Sequence, residues 1–193
     1  MLPNNILTTS IYEKAEFLTP LGNNLLDYAW GGSALNDASQ GLNVQLWTAF
    51  YEGGVIKVKT DTILPISIIT VPSVTSLSLA FNQSMQITLA YVSNGLPYLY
   101  WYDTQVAAQV TTPLSPDVVT PKVSLDDNRN SQTGSSDIIL AYIKANQLCM
   151  RVQRDRYTVE YISPEVLQAG SILKQIGMSS TLANELRFQF EVF

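Results

Sequence analysis

Apolar positions recur along this chain in short runs separated by turn residues, and one run repeats. Ile87-Thr88-Leu89-Ala90-Tyr91 returns as Ile138-Ile139-Leu140-Ala141-Tyr142, and a looser copy, Leu46-Trp47-Thr48-Ala49-Phe50, lies 41 residues ahead of the first. Each copy runs into a turn (Glu52-Gly53-Gly54, Ser93-Asn94-Gly95, Lys144-Ala145-Asn146) and then an apolar or aromatic strand ending near Asp61, Asp103 or Asp155. Spacings of 41 to 51 residues, each holding a hairpin and further strands, are those of propeller blades.

Between these hairpins the pattern predicts strand after strand from residue 41 onward. Ile66 to Thr70 and Val74 to Phe81 follow the first hairpin. In the second of these, Leu77, Leu79 and Phe81 alternate with Ser76, Ser78 and Ala80, which predicts a strand buried on one face and solvated on the other. Val106 to Thr111 and Val123 to Leu125 flank a proline-rich connection, and Asp126 to Ser136 reads as a projecting polar loop. Leu148 to Arg154 and Tyr157 to Ile162 complete the third unit. Ile172 to Met178 and Leu186 to Phe193 form a fourth, partial one, whose alternating C-terminal strand Arg187–Phe193 closes a sheet. Residues 1–40 do not fit the repeat and read as an N-terminal arm or capping segment, with a short helical turn over Tyr12–Leu18 stopped by Pro20 and Gly22. The expected fold is all-β: an antiparallel meander of three to four propeller-blade-like repeats, open or closed by oligomerisation. Its β-repeat domain spans residues 41–193.

Composition narrows the function. At 193 residues and 46% hydrophobic, the chain has enough apolar content for one core-forming domain. Its formal net charge of −5 argues against a broad nucleic-acid surface. The basic residues are uneven: 122–156 holds six of the eleven with four acids, leaving five basic against twelve acidic residues elsewhere. A local basic face for a partner and a solvated strand face both fit that distribution. With no histidine, the commonest general base and metal ligand is missing. The single cysteine, Cys149, allows no intrachain disulfide and reads as a buried thiol. The opening residues carry no signal-peptide pattern, and Ile63–Val74 is too short and too broken by prolines to span a bilayer.

Two segments carry candidate binding chemistry. In Tyr98-Leu99-Tyr100-Trp101-Tyr102, strand geometry places the three tyrosines on one face and Trp101 on the other. That is either an aromatic platform for a sugar or protein, or a core between blades. Arg151, Arg154 and Arg156 lie on one strand and its turn, suited to pairing with Glu160, Asp155, a neighbouring subunit or an anion. Asp61, Asp103 and Asp155 fit loop-end hydrogen bonding. Asp126-Asp127 with Asp137 lacks the ligand spacing of a calcium loop. No phosphate loop, metal-ligand cluster or nucleophile elbow is found. No catalytic residue, metal ligand or cofactor is therefore assigned.

Several segments together resemble a known family. They are Leu35-Asn36-Asp37-Ala38-Ser39-Gln40-Gly41-Leu42, Leu77-Ser78-Leu79-Ala80-Phe81-Asn82-Gln83-Ser84-Met85, Leu125-Asp126-Asp127-Asn128-Arg129, Ser136-Asp137-Ile138-Ile139-Leu140-Ala141-Tyr142 and Gln153-Arg154-Asp155-Arg156-Tyr157, with Ile176-Gly177-Met178 near the end. The combination, over about residues 25–190, resembles tailed-bacteriophage virion structural proteins encoded among tail genes. The resemblance implies a non-enzymatic tail component present in several copies, made in the host cytoplasm and carried in the virion. Its partners would be other tail proteins and further copies of itself, with neither nucleic acid nor membrane. The family has no assigned chemistry, so no site residue transfers. The alternative is a carbohydrate- or receptor-binding β module that takes a host glycan.

Overall fold

The computed structural model describes residues 26–31, 45–82, 84–125, 137–180 and 186–192. The expected helical turn at Tyr12–Leu18 and the loop Asp126–Ser136 lie outside them. The described chain is all-β. Its strands are β1 (Leu26–Gly31), β2 (Gln45–Glu52), β3 (Val55–Lys59), β4 (Ile66–Thr70), β5 (Val74–Phe81), β6 (Ile87–Ser93), β7 (Leu96–Asp103), β8 (Ala108–Pro113), β9 (Val119–Leu125), β10 (Ile138–Lys144), β11 (Gln147–Val152), β12 (Tyr161–Val166), β13 (Leu173–Ser180) and β14 (Leu186–Val192). They form three four-stranded antiparallel meanders in chain order: sheet 1 (β1 to β4), sheet 2 (β5 to β8) and sheet 3 (β9 to β12). The hairpin β13–β14 follows.

The three repeats expected from sequence are the central hairpins β2–β3, β6–β7 and β10–β11. Their registers coincide. Glu52 pairs with Val55, Ser93 with Leu96 and Lys144 with Gln147, each closing a two-residue turn. Both turn residues have positive φ in every case: 61° and 82° at Gly53-Gly54, 50° and 76° at Asn94-Gly95, 49° and 59° at Ala145-Asn146. A two-residue turn of this kind matches the right-handed twist of the flanking strands. Gly and Asn enter that conformation readily, whereas Ala145 adopts it at a cost of about 1 kcal/mol.

Equivalent positions also do equivalent packing. Ala49, Ala90 and Ala141 are fully buried and face the following sheet or hairpin. The residue after each alanine faces the other way, so Tyr91 packs toward sheet 1 and Tyr142 toward sheet 2. The small alanine lets one sheet approach the next closely, and the large ring of the next sheet fills the space. Among the described residues, three apolar clusters lie between successive units. Leu77, Leu79, Leu89 and Ile56 lie between sheets 1 and 2. Leu99, Trp101, Leu140 and Tyr142 lie between sheets 2 and 3. Ile143, Leu148, Leu173 and Ile176 lie between sheet 3 and β13. Each fully buried leucine contributes about 2 kcal/mol of apolar transfer.

The first strands of successive units lie side by side: β1 against β5, β5 against β9, β9 against β13. A series of side-chain acceptors links them. Asp27 Oδ2 accepts the Leu79 N–H at 2.7 Å and the Ser78 hydroxyl at 3.1 Å. Ser78 Oγ accepts the Val123 N–H at 3.1 Å, and Thr120 Oγ1 accepts the Leu173 N–H at 2.7 Å. Asp27 pairs in register with Ala49, and Ser78 with Ala90, so the first two links come from the same place in their repeats. A side-chain acceptor there satisfies an N–H that no neighbouring strand of its own sheet reaches.

Three expectations change. Val74–Phe81 is buried on both faces rather than one, because β5 is the strand that touches both neighbouring units. Ser76 and Ser78 are buried polar residues, not solvated ones. The third unit's last strand begins at Tyr161 rather than Tyr157, since Arg156 and Tyr157 both take left-handed backbone (φ 53° and 57°) in a turn. Sheet 1 begins at Leu26, inside the segment read as an arm, because Leu26–Gly31 pairs along its whole length with β2. The C-terminal strand pairs with β13 directly before it.

Candidate functional site

The aromatic strand β7 and the arginine-bearing turn after β11 were the two sites drawn from sequence, and the fold brings part of each together. β7 alternates as expected: Tyr98, Tyr100 and Tyr102 are half-buried on one face, while Leu99, Trp101 and Asp103 are buried on the other. Tyr98 stacks on Tyr91, ring centroids 5.4 Å apart and planes 18° from parallel. Tyr98 and Tyr100 pack against the core between sheets 1 and 2. Burial raises the Tyr100 phenol above its ordinary pKa and pushes Tyr91 up to about 12. Tyr98 and Tyr100 thus contribute to packing between sheets 1 and 2 while remaining half-buried.

Trp101 points toward sheet 3. Its ring meets Tyr157 edge-on at 5.0 Å, and its Nε1–H donates to Thr112 Oγ1 at 3.1 Å. An edge-to-face pair of this type adds about 0.5–1.5 kcal/mol beyond area burial. At the end of the same strand, the guanidinium of Arg156 donates to Asp103 Oδ2, and Gln153 Nε2–H donates to the Tyr102 carbonyl at 3.4 Å. The left-handed turn at Arg156 and Tyr157 thus clamps sheet 3 onto sheet 2. Asp103 is buried, also accepts the Gln105 N–H at 2.9 Å, and its carboxyl is held below the usual range chiefly by Arg156.

Arg151 lies 25% exposed in its side chain on the sheet 3 face that turns toward sheet 2. Its guanidinium sits over the Tyr142 ring at 5.7 Å, donates to the Tyr157 carbonyl at 3.2 Å, and pairs with Glu160 at 3.1 Å. Glu160 also accepts from the Tyr142 hydroxyl and pairs with Lys144 at 3.1 Å. These donors, the Tyr142 hydroxyl foremost, bring its carboxyl down to about 2. Burial, aided by Glu160, pushes the Tyr142 phenol well up. The Arg151 position recurs in sheet 1, where Lys59 lies over Phe50 at 5.6 Å. In register, Lys59 pairs with Thr48 as Arg151 pairs with Leu140.

Arg154 is exposed and pairs with Asp137 at 3.0 Å, while its N–H donates to the same carboxylate at 2.9 Å. Burial pushes the Asp137 carboxyl up. Each of the three arginines thus holds a carboxylate of its own chain. With Lys144, four of the six basic residues of the stretch 122–156 stand in ion pairs within the chain, and Arg129 lies outside the described residues. Of the aspartates at strand ends, Asp61 is exposed and Asp155 accepts from the Tyr161 hydroxyl at 3.0 Å. Asp126 and Asp127 lie outside the described residues.

Sequence reasoning missed Asp27, Ser78 and Thr120, the inter-sheet acceptors. A signal existed: Asp27 and Ser78 stand at one position of the repeat once β1 is recognised as its first strand. Cys149 is buried with a free thiol that burial pushes up in pKa. Among the described residues, no three of Asp, Glu and Cys gather as a metal-ligand cluster, and no helix is long and apolar enough to cross a membrane. No protein-family model, no curated protein and no solved structure matches this chain.

Proposed function

We propose that this chain is a non-enzymatic structural component of a bacteriophage tail, a ring associated with the tube or nozzle or a fibre-attachment protein, acting through protein–protein assembly. One observation carries the reading. The groups best suited to hold a ligand, Trp101, Arg151, Arg154 and Arg156, are each engaged inside the chain. Among the described strands, what the chain offers outward is a series of four-stranded sheets with unpaired edges. The motifs at Leu35–Leu42, Leu77–Met85 and Ser136–Tyr142 support the assignment to the tail, since they resemble the family named above.

The propeller-like arrangement is part of the same proposal, and the four-stranded meanders support it. Three four-stranded units and one hairpin fall short of the roughly four to eight blades that close a ring. Further copies of the chain or other tail proteins complete the arrangement, and the residues ahead of β1, the C-terminal strand or both make the attachment. The test is to delete residues 1–24 and, separately, 187–193, then measure incorporation into particles and mass in solution. Loss of incorporation with a folded product supports the proposal. If both truncations fold, incorporate normally and keep their oligomeric state, the assembly reading fails, and a glycan-binding screen becomes the next experiment.

A further inference from the structure

Each unit of this chain is laid on the one before it, and sheet 1 has no unit before it among the described strands. Its outward face nevertheless carries the residues that fill the contact elsewhere. Leu26 pairs with Phe50 as Leu77 pairs with Tyr91, and Trp30 with Leu46 as Phe81 with Ile87. In sheet 2, Leu77, Ile87 and Tyr91 are covered by sheet 1 and buried. Their counterparts in sheet 1 are not. Leu26 and Phe50 are half-buried, and Leu46 is 41% exposed where Ile87 is 9%. The backbone repeats the difference. The N–H groups of Leu79 and Val123 donate to Asp27 and Ser78 of the unit ahead. Tyr28 stands at their position, paired with Thr48 as Leu79 is with Leu89 and Val123 with Leu140. Lys59 lies over Phe50 as Arg151 lies over Tyr142, but among the described residues it forms no ion pair, whereas Arg151 holds Glu160.

We propose that the outward face of sheet 1 receives the β13–β14 end of a second copy, so that copies join head to tail and the run of units continues from one chain into the next. The contacts inside the chain say what covers such a face: the far side of a preceding antiparallel unit. Every chain carries one at its other end. β13 packs on sheet 3 through Leu173 and Ile176, against Ala141 and Ile143, as sheet 2 packs on sheet 1. The hairpin has no unit after it among the described strands. Charge selects this arrangement over a two-fold pairing of two sheet 1 faces. A two-fold sets the exposed Lys59 of each copy on the same face as its twin, and like charges repel. Head to tail, that cation meets a chain of net −5. Such a contact is heterologous: it closes a ring or extends a filament according to the rotation between copies.

This inference deepens the assembly reading by naming a surface. It is tested on the purified full-length chain alone, whereas that reading is tested by incorporation into particles, so the two fail separately. Sedimentation velocity over about 1–200 µM should show a monomer passing to multimers. Leu46→Lys should weaken association at least tenfold. Ile162→Lys should leave it unchanged, because Ile162 pairs with Cys149 on the side of sheet 3 that turns toward sheet 2. Circular dichroism establishes that each variant folds. If Leu46→Lys does not, Lys59→Glu, at an exposed side chain, carries the same test. Direction is read by mixing. A folded Leu46→Lys chain keeps its β13–β14 end, so an excess of it should cap wild-type multimers and lower their mass. A wild type that stays monomeric over the whole range overturns the proposal and leaves the face to residues ahead of β1 or to another tail protein. So do multimers that survive a folded sheet 1 variant, multimers that Ile162→Lys dissolves as readily, and multimers that an excess of the folded variant leaves at full mass, as a two-fold contact would.

Discussion

The contact between sheets 1 and 2 and the contact between sheets 2 and 3 are built on one plan and finished differently. Both place an alanine of the earlier sheet against large side chains of the later one: Ala49 against the Leu77 and Tyr91 side, Ala90 against the Leu140 and Tyr142 side. Both are linked near the first strands by a side-chain acceptor, Asp27 in one and Ser78 in the other. Their outer parts diverge. The first is sealed by rings, with Trp47 against Phe81 at 5.4 Å and Tyr98 on Tyr91. The second is sealed by charge, with Arg156 on Asp103 and the Arg151, Lys144, Tyr142 and Glu160 group beside it. A repeat therefore fixes the spacing of its sheets through a few small and large apolar positions, and leaves the rim free to use whatever closes it.

If the apolar plan is shared, removing the same element from each contact should cost the same. Leu89 and Leu140 are both fully buried, one in each core. Leu89→Ala and Leu140→Ala should each lower unfolding free energy by about 2–5 kcal/mol, measured by urea denaturation. A difference above about 2 kcal/mol between the two would break the comparison, since it would mean that one core collapses around the gap and the other does not.

The linking acceptors should separate by chemistry. Asp27→Ala removes a buried carboxylate that accepts from Leu79 and Ser78 and should cost about 2–3 kcal/mol, because hydrogen bonds to a charged group are stronger and the Leu79 N–H is left unpaired. Ser78→Ala, with a neutral acceptor toward Val123, should cost nearer 1 kcal/mol. At the rim, Arg156→Ala strips the buried Asp103 of its cation while the Gln105 N–H remains. The expected loss is about 1–2 kcal/mol. Tyr100→Phe on the opposite face, where the ring packs rather than pairs, should stay within about 0.5 kcal/mol. Chemical denaturation of these variants side by side checks the order.

How much of this was legible depends on how far apart in sequence the partners are. The hairpins were readable because Gly53-Gly54 and Asn94-Gly95 announce their turns locally, and the repeat carried Ala145-Asn146 along with them. β5 was misread because Ser76 and Ser78 look like solvated positions of an alternating strand. Their burial depends on Asp27, 51 residues from Ser78, and on Val123, 45 residues away. β1 was assigned to the arm because it is followed by glycines and lacks the repeat's motif; only its pairing with β2 reveals it. In sequence the arginines suit pairing with Glu160 or Asp155, and Arg151 does pair with Glu160, nine residues on; the distant partners are not legible there. Arg156 finds its carboxylate 53 residues away in another sheet, and a charge is counted as free until its distant partner is known.

The two rims should also part company in acid. The Glu160 carboxyl is brought down to about 2 in the folded chain, against an ordinary value of 4.5, by the Tyr142 hydroxyl, Arg151 and Lys144. Asp103 is lowered by Arg156. A carboxyl depressed by folding adds stability that is complete above its unfolded pKa and is lost as the pH falls through the folded one. The charged rim should thus weaken between about pH 4.5 and pH 2. Asp137 works in the opposite sense: its carboxyl is raised by burial, so protonation favours the fold and offsets part of the loss. The aromatic rim offers phenols that ionise only at high pH, and is indifferent over this range. The Glu160 carboxylate is one-fifth exposed, and screening reduces its share to about 1–2 kcal/mol. Glu160→Gln should therefore lower stability modestly at pH 7 and flatten the decline toward pH 2, while Tyr100→Phe should leave the slope of the wild-type curve unchanged. Urea midpoints across pH 2 to 7 measure both. Equal slopes for wild type and Glu160→Gln would show that the charged rim adds nothing beyond what the rings achieve on the other side, and the distinction between the two contacts would reduce to shape alone.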